Sequence, residues 1–358
     1  MLVQLYFYLF IYRRAACPTP EINRRKRKLP PVSVIICAKD EAENLRKYLP
    51  AVLEQDYPDY EVVVVNDCSE DETADLLLQF QEEYSHLKVT TIRKDPKFTH
   101  GKKLALTIGI KAATSELLLL TDADCEPASK DWIRYMTRHY EEGAEMVAGA
   151  GLYFKEKGLL NLLIRFDTLF IFMQYAGMAR SKRPYMGVGR NLSYRKEIFF
   201  RNRGFARHLH LRSGDDDLFV SENAVAGKMF IENHPSSVTY SVPKDTFRKW
   251  LIQKRRHLTT GRFYQQHQKL SLGLEILSRV LQNISLIALL FMFPLPLYIA
   301  AMYSLTVITK GVVFYLVFRR LNEKILFLPS LLIDPFIPFL YSYLHLANRI
   351  DRKRHLWQ

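Results

Sequence analysis

Cysteine is scarce in this chain of 358 residues: Cys17, Cys37, Cys68 and Cys125 lie far apart, with no C-x-x-C pair. That excludes a disulfide-stapled scaffold and a thiolate zinc site, and it fits a reducing compartment. Acid is short as well. The 37 Asp and Glu face 51 Lys and Arg, for a formal net charge of +14. Such a balance suits nucleic acid, anionic lipid head groups or anionic substrates. No aromatic–basic binding motif sits on a soluble module, which sets nucleic acid aside. The bases instead flank apolar segments, at residues 24–28, 319–320 and 349–354, as the positive-inside rule describes. The first apolar stretch, residues 1–12, falls short of the roughly 20 residues a spanning helix needs. It also lacks the charged start of a signal peptide, and is expected to be an interfacial anchor or the remnant of a span.

What is present centres on residues 116–125 (ELLLLTDADC). A short apolar run ends in two carboxylates one residue apart, Asp122 and Asp124. A run of that length bounded by polar residues reads as a buried strand of a parallel sheet. Ligands of open α/β sheets bind beyond the carboxyl ends of the strands. Two hard oxygen donors there suit Mg²⁺ or Mn²⁺, with open positions left for a diphosphate. Upstream, residues 32–38, 60–66 and 87–92 read as strands, and helices are expected after residue 39, after Ser69 as N-cap, and from Gly101 through Ala112. Strands alternating with helices imply a parallel sheet wrapped by helices.

Four segments carry a family resemblance: 32–45 (VSVIICAKDEAENL), 63–73 (VVVNDCSEDET), 100–106 (HGKKLAL) and 120–124 (LTDAD). In kind, order and spacing they resemble the nucleotide-sugar half of the family-two glycosyltransferases, which have the GT-A fold. The resemblance, with the later motifs, covers roughly residues 32–261. It implies that Asp67 accepts a hydrogen bond from the nucleotide base, chemically sensible for a pyrimidine imide N–H. Asn66 stands where the family often has a second aspartate. The resemblance also puts Glu41 near the nucleoside, Lys102 near the phosphates or base, Asp122 on ribose or metal, and Asp124 on the metal that bridges the diphosphate.

The later motifs resemble the acceptor side. Residues 184–193 (PYMGVGRNLS) match the loop before the base motif, with Arg190 as a contact residue. Residues 213–219 (SGDDDLF) hold three adjacent acids, whose mutual repulsion raises at least one pKa unless a cation is near. An inverting transferase needs a general base to deprotonate the acceptor hydroxyl. Matching the family's Gly-Asp-Asp form puts the base at Asp216; a shift of one residue favours Asp215 or Asp217. Residues 250–258 (WLIQKRRHL) resemble the Q-x-x-R-W motif of membrane-integrated polymerising members. Gln253 and Arg256 match, and guanidinium suits a departing diphosphate. His257 replaces the tryptophan, which leaves the stacking platform for an acceptor sugar without its residue.

Residues 144–153 read as a further strand. Residues 159–177 resemble the amphipathic interface helix of membrane-bound members, with a buried core helix as the alternative. Residues 283–318 are long enough for two short spans turning near Pro294 and Pro296 or near Lys310. Residues 325–347, broken by Asp334-Pro335 and Pro338, form a re-entrant or interfacial segment if the basic loops are all cytoplasmic.

The expected organisation is an anchor and basic linker (1–31), a GT-A domain (32–265, divided into 32–126 and 127–265) and a membrane region (266–358). The expected function is metal-dependent inverting transfer of a sugar from a nucleotide-diphosphate donor, a UDP sugar in the first instance. The acceptor is lipid-linked or a glycan, at the cytoplasmic face of the inner membrane, with membrane lipids as partners. The alternative is a catalytically silent nucleotide-sugar-binding subunit of a polysaccharide assembly.

Overall fold

Three runs rich in Val, Ile and Leu form the middle of a sheet: β1 (Val32–Ala38), β2 (Tyr60–Asp67) and β4 (Leu117–Asp122), with β3 (Leu87–Ile92) on the flank. The computed structural model describes residues 1–19, 21, 29–93, 101–211, 213–290 and 297–355. Both faces of β1, β2 and β4 are covered, so almost every residue in them is buried, as parallel strands between helical layers must be. Seven strands pair in the order β3-β2-β1-β4-β8-β6-β9, with β6 (Met146–Ala148), β8 (Leu192–Arg195) and β9 (Met229–Ile231) completing the sheet. β8 runs antiparallel to both β4 and β6, while the other pairs are parallel. A second sheet, β5-β10-β7, is built from β5 (Cys125–Pro127), β7 (Gly151–Tyr153) and β10 (Thr239–Ser241).

Register fixes what lies at the carboxyl ends. Asp122 pairs with Cys37, Ala38 with Asn66, and Asp67 with Ile92. The expected strand over 144–153 is instead two, β6 and β7, in different sheets. The break falls at Gly149, where an added Cβ would lie 2.4 Å from Asn191 Nδ2. Asn191 fills that space and donates to the carbonyls of Ala150 and Ser237.

The chain divides into two compact units that interleave in sequence. The sheets belong to the unit Pro18–Phe154 plus Pro184–Val242, and the other unit takes Met1–Cys17, Lys155–Arg183 and Pro243–Gln358. In that second unit three helices are long and apolar enough to cross a membrane: Leu159–Arg180, Gln266–Leu289 and Leu297–Arg320. A fourth is reached if Lys324–Ile333 and Ile337–Ile350, bent by 66°, count as one. The bend falls at Asp334-Pro335, where the sequence breaks its apolar run.

Leu159–Arg180 does not present the polar face of an interface helix. It is buried along most of its length, and its charges are used internally. Arg165 pairs with Glu323; Asp167 pairs with Lys254 and accepts from Tyr341 Oη at 2.6 Å. The N-terminal stretch is likewise packed rather than laid on a surface. Phe7, Tyr8, Ile11 and Tyr12 are buried, and Ile11 O lies where a side chain on Gly177 would be, 2.7 Å from its Cβ. Asp334 holds Arg279 and, at 3.3 Å, Lys310. Residues 24–28, His100, Pro294 and Pro296 lie outside the described residues.

Candidate active site

The loops after β1 and β2 are stitched to each other. Asp40 (φ 54°) and Cys68 (φ 57°) both take the left-handed conformation that non-glycine residues seldom adopt. The Asp40 N–H donates to Ser69 Oγ at 3.0 Å, and Asp40 Oδ1 accepts from the Glu70 N–H at 2.7 Å. Ser69 is therefore not the helix cap expected of it. The helix begins at Thr73, and Asp71 accepts from both Thr73 N and Ala42 N. Asn66 accepts from the Ser69 N–H at 3.2 Å. Its amide oxygen shapes the turn, while its neighbour Asp67 ends β2 at 5% exposure. The Glu41 N–H donates to Thr73 Oγ1 at 3.0 Å, and its carboxylate accepts from Asn44 Nδ2.

Asp122 is the last residue of β4, and Asp124 follows just beyond it. With Cys125 they present ligand atoms within 4.8 Å of one another. Burial, and then the charge of Asp122, push the Asp124 carboxyl above its usual range, against hydrogen bonds from Ser241 Oγ (2.9 Å) and Cys125 Sγ. A carboxylate made harder to ionise by burial and by an adjacent acid fits a divalent cation, whose charge would relieve it. Burial pushes the Cys125 thiol well up, so the hard donor set is the carboxylate pair.

Lys102 bridges the nucleotide half to the acid cluster. Its ammonium lies 2.7 Å from Asp122 Oδ1 and 3.2 Å from Asp215 Oδ2. Burial alone would lower its pKa, but Asp122, Asp215 and Asp216 hold it well above the ordinary lysine value. The three acids then part company. Burial is the largest influence on Asp215 and raises it, yet the charge and hydrogen bond of Lys102, a backbone hydrogen bond and the charge of Lys103 together bring the net direction down. Asp216 is pushed up to about 7 by burial and by the charges of Asp215 and Asp217. Asp217 is buried and accepts from the Leu218 N–H. Asp216, the most exposed of the three, caps the helix Asp217–Asn223 through the Asp217 N–H (2.7 Å) and accepts from the Gly189 N–H at 2.8 Å.

Gly189, the second glycine of the 187–189 pair, lies against both Asp216 and Lys102. A Cβ there would lie 3.5 Å from Asp216 Cβ and 3.8 Å from Lys102 Nζ. Arg190 sits on the aspartate-pair side. Its backbone carbonyl accepts from Thr121 Oγ1 and Thr239 Oγ1, both at 3.0 Å. Its guanidinium lies 4.3 Å over the Tyr153 ring and donates to Leu152 O. Asp122 and Asp124 are among the charges acting on it.

The sheet unit thus gathers Asp67, Lys102, Asp122, Asp124, Arg190 and Asp215–Asp217 around the carboxyl ends of its strands, with Glu41 in the adjoining loop. Gln253 and Arg256 belong to the other unit, on the helix Phe247–Leu258, Gln253 half-buried and Arg256 exposed. Their diphosphate role rests on the motif alone. Residues that sequence reasoning passed over are Ser241, which holds Asp124, and Cys37, on which the charges of Lys102, Asp122, Asp215 and Asp67 all act. No local signal marks either. Tyr153, under Arg190, is equally silent in sequence.

Comparison with known proteins bears on the fold. Residues 33–201 match the family model "Glycosyl transferase family 2". The chain is 26% identical over 248 residues to the probable glycosyltransferase YdaM of Bacillus subtilis, covering 66% of this chain and 56% of that protein. It is 36% identical over 126 residues to glycosyltransferase AglE of Haloferax volcanii, covering 35% and 38%. The chain thus spans about half or less of these relatives' lengths. Among solved structures, the mannosyltransferase PcManGT of Pyrobaculum calidifontis, in complex with GDP-Man and Mn²⁺, superposes with a TM-score of 0.59 at 20% identity. That match covers 93% of this chain and 95% of PcManGT.

Proposed function

We propose, because this chain is a family 2 glycosyltransferase with the GT-A fold, that it transfers a sugar with inversion from a UDP sugar to a lipid-linked or glycan acceptor at the cytoplasmic membrane face. The observation that carries the reading is the meeting of the Asp122–Asp124 pair, Lys102 and Asp216 at one end of the sheet. Asp122 and Asp124 would hold Mg²⁺ or Mn²⁺. Bound there, the ion would supply positive charge to the diphosphate oxygens.

Asp67 accepts the imide N–H of the base, and Glu41 lies toward the nucleoside. Lys102 brings its ammonium to the phosphate side. Arg190, stacked on Tyr153, adds a second fixed cation. Asp216 takes the proton from the acceptor hydroxyl while that oxygen bonds to C1 of the sugar. The C1–O bond to the diphosphate breaks in the same displacement, and the nucleoside diphosphate leaves with the electron pair. A base poised near neutrality suits this step, because the ideal catalytic pKa lies near the working pH. Support for a membrane acceptor is the unit with three helices apolar enough to cross a bilayer, which would keep the acceptor's lipid beside the enzyme.

The test is nucleotide release from a panel of UDP and GDP sugars by detergent-purified protein with membrane lipid extract. It is run with and without Mn²⁺ or Mg²⁺, beside Asp124→Ala. Metal-dependent release from a UDP sugar, lost in the variant, is expected. Release from GDP sugars alone would overturn the donor assignment. Metal-dependent binding without any release would favour the silent subunit.

A further inference from the structure

Lys103 follows Lys102 in the sequence, yet its side chain does something different. Lys102 reaches the carboxylates at the site, whereas Lys103 turns inward and is 6% exposed. Its ammonium donates to three backbone carbonyls of one loop: His208 O at 2.6 Å, Leu211 O at 3.1 Å and Ser213 O at 2.7 Å. Those bonds use all three donors of the ammonium. None of the three acceptors is a side chain, so the bonds depend on the path of the loop rather than on its residue types.

That loop leads directly into the acids. After Ser213 comes Gly214 at φ +97°, where a Cβ would stand 2.5 Å from Leu218 Cδ1. Asp215 and Asp216 follow at once. We propose that Lys103 is a positioning residue: its ammonium clamps the backbone carbonyls of His208, Leu211 and Ser213 onto the helix Lys102–Ala112 and thereby sets the place of the Asp216 carboxylate. The two adjacent lysines then divide the labour at the start of that helix. Lys102 ties the site together through charges that substrate can reach. Lys103 fixes the approach of the chain from behind, through bonds that substrate never meets. A buried ammonium satisfied by three carbonyls is a demanding arrangement, since an unfilled carbonyl or an unpaired charge is costly there. A solvated lysine at a helix start would serve the helix equally well, so the burial needs a reason, and the acid loop provides it.

This inference rests on the reading of Asp216 as the base, and its test separates the two. Amide hydrogen exchange is measured on the full chain for wild type, Lys103→Met and Lys103→Arg, with Mn²⁺ plus UDP and Mn²⁺ plus GDP titrations alongside. The amide of Gly189 is the reporter, because it donates to Asp216 Oδ2. Lys103→Met should expose Gly189 and the 214–218 amides to fast exchange while nucleotide affinity stays within about twofold. Turnover should fall ~100-fold with KM for donor unchanged, the scale of a misplaced catalytic group. Lys103→Arg, which keeps the charge but not the compact three-way geometry, should fall between. It is the deciding variant if Lys103→Met does not fold. Wild-type exchange at Gly189 with wild-type turnover, in whichever variant folds, overturns the clamp. If Asp216→Asn is fully active while the Lys103 variants lose protection, the clamp stands and the base assignment falls.

Discussion

Asp216→Asn is the substitution most able to separate chemistry from structure. The asparagine keeps an oxygen for the Asp217 N–H, now accepted at 2.7 Å, and asparagine caps helices as well as aspartate does. What changes is the other contact. The Gly189 N–H, 2.8 Å from Asp216 Oδ2, would face an amide NH₂, donor against donor, at a cost of about 1–3 kcal/mol. Against that stands a gain. Burial and the charges of Asp215 and Asp217 raise the folded value to about 7, whereas an unfolded aspartate titrates near 3.9. From about pH 4 to about pH 7 the native state therefore binds the extra proton, and wild-type stability falls as pH rises. The loss is complete above about pH 7 and amounts to about 4 kcal/mol at most.

The neutral asparagine escapes that loss, so at pH 8 the metal-free variant should melt at or above the wild-type temperature. At pH 4, where the carboxyl is protonated anyway, it should melt at or below it. Turnover should move the other way. Loss of the base should lower kcat by roughly 10²–10⁴-fold, or about 3–5.5 kcal/mol of barrier, with Mn²⁺-dependent nucleotide binding kept. The wild-type acid limb near pH 7 should vanish in whatever activity remains. The measurements are nucleotide release, isothermal titration and thermal melts at both pH values. A variant that keeps a tenth or more of wild-type kcat, or that loses nucleotide binding, would refute the assignment of Asp216.

Three other substitutions probe different levels of the structure. Gly189→Ala should fold normally, because its Cβ would meet only ordinary contacts of 3.5–3.8 Å; the methyl would still stand between Asp216 and Lys102, and turnover should drop at least tenfold with an unchanged melt. Asn66→Ala removes the oxygen that holds the Ser69 N–H and should cost about 1–2 kcal/mol in thermal or denaturant melts while retaining metal dependence. Asp334→Ala leaves Arg279 and Lys310 buried without their shared acid; a loss of about 3–5 kcal/mol is expected, seen as a melting shift in detergent or lipid nanodiscs.

The parallel part of the fold was legible because its information is local. β1 was expected over residues 32–38 and is found there, since a short β-branched apolar run bounded by polar residues marks its own ends. The aspartate pair was legible for the same reason, as the polar stop of such a run. What escaped was decided at long range. Residues 144–153 look like one strand until Asn191, more than 40 residues on, occupies the space at Gly149. Ser69 looks like a helix cap until Asp40, from another loop, takes its hydroxyl. The helix Leu159–Arg180 looks amphipathic by its charges, yet Arg165 and Asp167 find Glu323 and Lys254 in distant segments. Even Lys103, plainly beside a motif lysine, gives no hint of facing inward. A buried charge is announced by its partners, and the partners are set by the fold.

The electrostatics of the sheet unit bear on the proposed cation. Around the strand ends stand Asp67, Asp122, Asp124, Asp215, Asp216 and Asp217, opposed by Lys102, Lys103 and Arg190. Lys103 is spent on carbonyls, and Lys102 is shared between Asp122 and Asp215. The carboxyls of Asp124 and Asp216 are raised by burial first and by the neighbouring acids second, and the nearby positive charge does not offset the two together. A nucleoside diphosphate brings more negative charge to the same place. Unaided, it would be repelled by the groups meant to receive it, and Lys102 could serve the phosphates only by releasing an aspartate. A divalent ion held by Asp122 and Asp124 would resolve both difficulties, because it would neutralise the pair and free Lys102 from Asp122. Metal and nucleotide should therefore bind with positive coupling, each tighter in the presence of the other. The charge of Lys102 also holds the Asp216 carboxyl down, so a lysine drawn toward phosphate would leave the proposed base more basic when the donor is in place.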